Sequence, residues 1–148
     1  LGQVGHVDDQ ARALRMILCN PVTYGKRYNV TGNDCFTDNM YVDTFARVTG
    51  IEPERLGVPP AIMDEIWESD RWPASSLVQR LGTAYRWNEH LLFSIDRIRD
   101  DLGWIPEYTF ESAVAQTYDW YTANGRAEAA QFDWSFEDAL IKRLRPAT

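Results

Sequence analysis

The sequence predicts an α/β fold in which the last strands of a parallel sheet lead into a mainly helical lobe. Three observations predict it. Two short extended runs, Gly5-His6-Val7 and Arg27-Tyr28-Asn29-Val30-Thr31, bracket a helical pattern. That order is the strand–helix–strand unit of a parallel sheet with a right-handed crossover. After Gly32, helical patterns follow one another to the end of the chain. The chain has 148 residues, 45% of them hydrophobic and 25% charged, enough for a core of ordinary globular composition. The expected organisation is residues 1–36 for the sheet end and residues 37–148 for the helical lobe.

The elements follow in order. Asp8 or Asp9 is expected to cap a helix reaching about Cys19, with Ala11, Leu14, Ile17 and Leu18 as its apolar stripe. Asn20-Pro21 stops it, and the turn at Tyr24-Gly25-Lys26 leads into the second strand, closed by Gly32. Thr37 opens a helix with Met40, Tyr41, Phe45 and Val48 on its inner side and Gly50 as its stop. Pro60 fits the first turn of a helix through about Glu68. Residues 69–84 are broken by Pro73, with Leu77, Val78 and Leu81 suggesting a short helix. Ser94 caps a helix ending at Leu102, and Gly103 is its left-handed terminator. Thr109 caps a long helix carrying Ala113, Val114, Thr117, Tyr118 and Tyr121, closed by Asn124-Gly125. Phe132, Trp134 and Phe136 form an aromatic tail, and Ser135 with Asp138 resembles a capping box for a last helix through Leu144.

Charge and composition narrow the partners. The net charge is −7, so the average field repels a phosphate backbone and argues against nucleic acid. The basic cluster Lys142, Arg143 and Arg145 suits a helix C-terminus. Cys19 and Cys35 make no disulfide framework and read as inert thiols of a cytoplasmic protein. His6 and His90 are isolated and no C-x-x-C pair occurs, so no zinc site is expected. No run approaches the ~18 apolar residues of a membrane span. Asn29-Val30-Thr31 matches the glycosylation acceptor pattern but sits in an expected buried strand. The opening at Leu1, just before a helix cap, reads as part of a longer polypeptide.

Four stretches together resemble the extended short-chain dehydrogenases of the NAD-dependent epimerase/dehydratase family. Gly5-His6-Val7-Asp8-Asp9-Gln10-Ala11 resembles their "hVdDxA" turn, and Gly25-Lys26-Arg27-Tyr28-Asn29-Val30-Thr31-Gly32 their "GkxYNvtG" strand. Arg97-Ile98 with Leu102-Gly103-Trp104-Ile105-Pro106 is similar to their "K-A…LGWxP" segment. Thr117-Tyr118-Asp119-Trp120-Tyr121 resembles their closing "T-x-x-W" helix. The resemblance implies the last strands of a Rossmann-type sheet and a C-terminal substrate lobe. It also implies NAD or NADP in a parent protein, and a small-molecule substrate of the nucleotide-sugar kind.

Two motifs of that family are absent from the sequence. There is no G-x-x-G-x-x-G turn to hold a pyrophosphate, and no Tyr has Lys four residues on. The chain alone is therefore expected to bind no cofactor and to be inactive. The family's substrate-phosphate arginines are also replaced, by Gly2 and Ala84, with Ser94 where an Asp is usual. These departures are similar to a branch related to the chloroplast stem-loop-binding proteins, which are associated with RNA. An alternative function is thus a non-catalytic RNA- or protein-binding member of the same fold.

The candidate substrate-binding residues are Arg86, Trp87, Asn88 and His90. An Arg binds anions, an indole stacks on rings, and His donates or titrates; the resemblance places this stretch beside the substrate cleft. Trp67, Arg71 and Trp72 form a second aromatic-basic cluster, suited to a lid or an oligomer contact. Asp64, Glu65, Glu68 and Asp70 read as a solvated acidic face. A two-strand parallel sheet has exposed edges, so the missing N-terminal segment or a second copy of the chain is the expected partner.

Overall fold

The structure is a computed structural model and describes residues 1–68, 88–126 and 133–145. The chain divides into two compact units, one of Leu1–Pro53 with His90–Gly125, the other of Glu54–Glu89 with Arg126–Thr148.

The first unit begins with an imidazole cap. The His6 backbone is extended and its Nδ1 accepts the Asp8 N–H, so helix α1 runs Val7–Ile17. The cap expected on Asp8 or Asp9 thus falls two or three residues earlier, because an unprotonated imidazole nitrogen accepts a hydrogen bond as a carboxylate does. The buried face of α1 is also rotated from expectation. Asp9 and Ala13 are buried and Met16 and Ile17 pack on the core, whereas Ala11 is exposed and Leu14 and Leu18 are 58% and 69% exposed. Positions 9, 13, 16 and 17 form one stripe at helical spacing, anchored by the Asp9 carboxylate. The helix stops at Ile17, short of Cys19. Asn20 donates to the Met16 carbonyl and accepts the Val22 N–H, which converts the chain into a 3-10 turn at Pro21–Thr23.

Residues 5–7 and 27–31 form no ladder among the described residues. Val7 belongs to α1, and no backbone–backbone bond reaches residues 27–31. A single bond joins Gly32 N–H to Val4 carbonyl at 2.9 Å, and one antiparallel bridge joins Gly2 to Phe36. Gly32 is required there, since a Cβ would lie 2.2 Å from the Val4 oxygen. Parallel strands of this kind form when neighbours pair with them, and none is described here.

The helical expectations hold more closely. Thr37 caps α2, Asp38–Thr49, through its hydroxyl and the Met40 N–H, and Gly50 ends it at φ +72°. Its inner side centres on Thr44, with Tyr41 and Val48 half-buried, while Met40 is exposed. Ser94 accepts the Asp96 N–H at the start of α4, Asp96–Leu102, and Gly103 ends that helix at φ +67°. Thr109 caps α5, Phe110–Ala123, by accepting the Ser112 N–H. Helices α2 and α5 pack together, and Phe36, Tyr41, Phe45 and Phe110 form an aromatic cluster between them. The core proper is Ala13, Ile95, Ile98 and Trp104, with Tyr28, Val30 and Leu102 packed on it.

In the second unit, α3 spans Pro60–Glu68 with Pro60 at its first position, and α6 spans Ser135–Leu144. Asp133 rather than a Ser135 capping box accepts the first N–H, at 3.0 Å from Ser135. Arg143 forms a two-pronged pair with Glu65, at 3.0 and 2.6 Å, and Arg145 pairs with Glu54. Glu65 is exposed, as expected of a solvated acidic face, and is tied to an arginine there. No helix among the described residues is long and apolar enough to cross a membrane.

Candidate functional site

The site is built around the end of α4 and the start of α1, both in the first unit. Gly103 turns the chain out of α4 in a left-handed conformation that a side chain disfavours. Trp104 then drops into the core, fully buried, and its Nε1–H donates to the Asp9 carbonyl at 3.2 Å. The Asp9 carboxylate, 3% exposed, accepts the Glu107 N–H at 2.9 Å and the Tyr108 N–H at 3.1 Å. Arg12 closes the network. It donates to Asp9 at 2.9 Å and to the Ile105 carbonyl, pairs with Glu107 at 3.2 Å, and lies over the Trp104 ring. Burial pushes the Asp9 carboxyl up, but the Glu107 N–H, Arg12 and the Tyr108 N–H together outweigh it and hold the group below its ordinary range.

This lock places Tyr108 against His6. Their rings stack at 3.8 Å. Nδ1 of His6 takes the Asp8 N–H, which puts the neutral ring's proton on Nε2 and lets it donate to Gln116 Oε1 at 2.7 Å. The Tyr108 hydroxyl donates to Asp8 at 3.3 Å. Burial, then the Asp8 charge and hydrogen bond, push the Tyr108 phenol up, so it stays a donor.

Beside these groups lies a cavity of about 500 Å³. Phe45, Tyr108, Phe110, Tyr118 and Tyr121 supply its rings, and His6, Asp34, Thr109 and Thr117 are its other polar residues. Asp34 accepts the Phe110 N–H at 2.6 Å, at the opening of α5. No Lys or Arg lines the cavity among the described residues. A cavity of this size with aromatic walls and a few polar groups has the form of a small-molecule site. A second, more open cleft of about 560 Å³ runs along Gln3, Tyr28, Val30, Thr31 and Phe93.

The residues singled out from sequence are placed as follows. Arg86 and Trp87 lie outside the described residues, as do Arg71 and Trp72. Asn88 is exposed in a turn of the second unit. His90 is exposed in the first unit with Nδ1 against the Leu1 amino group, where residues 90–93 run alongside the opening of the chain. His6 proves to be a buried, doubly hydrogen-bonded group in the cavity wall. Sequence reasoning did not single out Asp34, Tyr108 or Gln116. A trace of the Asp9 lock was present in the doubled Asp8-Asp9, since one carboxylate is more than a single cap uses.

No family model matches the sequence, and no solved structure matches it. Curated relatives do. The chain is similar to a dTDP-glucose 4,6-dehydratase of Escherichia coli, 27% identical over 121 residues. It is also similar to those of Neisseria gonorrhoeae, 30% identical over 119 residues, and Salmonella typhimurium, 31% identical over 121. Each match takes in 80% of this chain. The chain spans 30%, 31% and 28%, respectively, of the length of these relatives. The weak similarity thus extends over most of the chain and bears out the epimerase/dehydratase-type resemblance at that coarse level.

Proposed function

We propose that the chain is the C-terminal, substrate-side portion of an NAD(P)-dependent enzyme of the epimerase/dehydratase type acting on a nucleotide-sugar. The observation that carries the reading is the similarity to dTDP-glucose 4,6-dehydratases over 80% of the chain, confined to about 30% of their length. The residues that resemble the family are also those that hold the fold: Asp9, Gly103 and Trp104 form the lock between α1 and the segment before α5. Residues 1–36 are the end of a Rossmann-type sheet in this reading. The open cleft along Tyr28, Val30 and Thr31 is where a neighbouring strand, from the rest of a longer polypeptide or from a second copy, pairs.

The cofactor belongs to that remaining part. The sequence holds no glycine-rich turn and no Tyr–Lys pair at the family's spacing, so NAD or NADP finds no pyrophosphate cradle in it. Arg86, Trp87, Asn88 and His90 remain the substrate-contacting candidates. The test is to express the polypeptide encoded by the reading frame through Leu1 and assay it with dTDP-glucose and NAD. Turnover that falls when Arg86 is changed to Ala supports the reading. A longer product with no glycine-rich turn and no turnover of any nucleotide-sugar overturns it.

A further inference from the structure

We propose that the aromatic cavity between the His6 end of α1 and helix α5 is a binding site for an organic ammonium compound, a positively charged amine on an apolar ring or chain. The inference stands apart from the nucleotide-sugar reading, because this cavity is unsuited to a phosphate. Its walls carry five aromatic rings, whose faces attract cations, and no guanidinium or ammonium among the described residues. Arg12 and Arg47, of the same unit, are committed to carboxylates of their own: Arg12 to Asp9 and Glu107, and Arg47 to Glu111 at 2.8 Å.

A carboxylate completes the match. Asp34 lines the cavity and uses one oxygen on the Phe110 N–H. Asp8, outside the cavity lining, accepts the Tyr108 hydroxyl. An anion entering here meets the Asp34 carboxylate with no Lys or Arg among the described lining residues to compensate it; an ammonium group meets aromatic rings and the Asp34 charge. The apolar part of the ligand is accommodated by Val114, Ala113 and Phe45, and the volume admits a compound larger than a single ring.

Three near-isosteric probes test the charge preference: benzylamine, benzyl alcohol and benzoate, titrated into the full chain by NMR. Benzylamine is expected to saturate with shifts at His6, Tyr108 and Tyr118, roughly tenfold tighter than benzyl alcohol, with benzoate weakest. In Asp34→Asn the carboxamide oxygen still accepts the Phe110 N–H, so the fold is kept, and the preference for the amine over the alcohol is expected to shrink. Benzoate binding as tightly as benzylamine overturns the proposal. So does the absence of saturable benzylamine shifts into the millimolar range.

Discussion

At the scale of single residues, Asp9 is the most consequential side chain. It is buried and accepts three hydrogen bonds, one from Arg12 and two from the Glu107 and Tyr108 backbone N–H groups. Asp9→Asn keeps one acceptor and loses the charge, and should cost about 2–3 kcal/mol in urea unfolding. The pH dependence has a definite sign. The folded carboxyl lies below its ordinary value, so Asp9 stabilises the fold above the unfolded value of about 4 and that contribution is lost as pH falls through the lower folded value. Stability of the Asn variant should therefore fall less than that of the natural chain in the acid range below about pH 4. A parallel loss in both would show that other carboxylates carry the effect. Gly32→Ala tests a different cause, the 2.2 Å approach of a Cβ to the Val4 oxygen. It should cost about 1–3 kcal/mol by the same measurement, and an unchanged midpoint would show that residues 4 and 32 are not held in contact.

At the scale of elements, helices were more legible than strands. Caps with a local chemical signature were found where expected: Thr37, Thr109, Gly50 and Gly103 each act within one turn of their own helix. The misplacements have a shared origin in contacts distant along the chain. The face of α1 that turns inward is decided by Asp9 reaching residues 107 and 108, almost a hundred positions away, and the apolar pattern at Leu14 and Leu18 gives no sign of it. The strands at residues 5–7 and 27–31 depend even more on partners. The candidate site was legible only in part, because Tyr108 is set against His6 by the Asp9 lock and Asp34 joins the cavity wall through the Phe110 N–H, both contacts between residues distant in sequence. Gly103→Ala addresses the α4 terminus directly. Its positive φ should make the change cost about 1 kcal/mol, read as a lower unfolding midpoint with an unaltered slope.

At the scale of the whole molecule, the uncovered surfaces agree with a chain that works within a larger assembly. Val7, Leu14 and Leu18 lie on one side of α1 and are 67%, 58% and 69% exposed. Residues 27–31 offer backbone groups with no backbone partner among the described residues. Light scattering should report a dimer or larger species, or the chain should co-purify with its remaining part. A monomeric, thermally stable chain would contradict that expectation. The central claim is that this portion shapes the substrate side while the cofactor is held elsewhere in the polypeptide. The most direct measurement is a fluorescence titration of NADH into the 148-residue chain and, in parallel, into the longer product of the same reading frame. The account predicts saturable binding by the longer protein and none by the chain alone. Micromolar binding by the chain alone, or no binding by either, would contradict it.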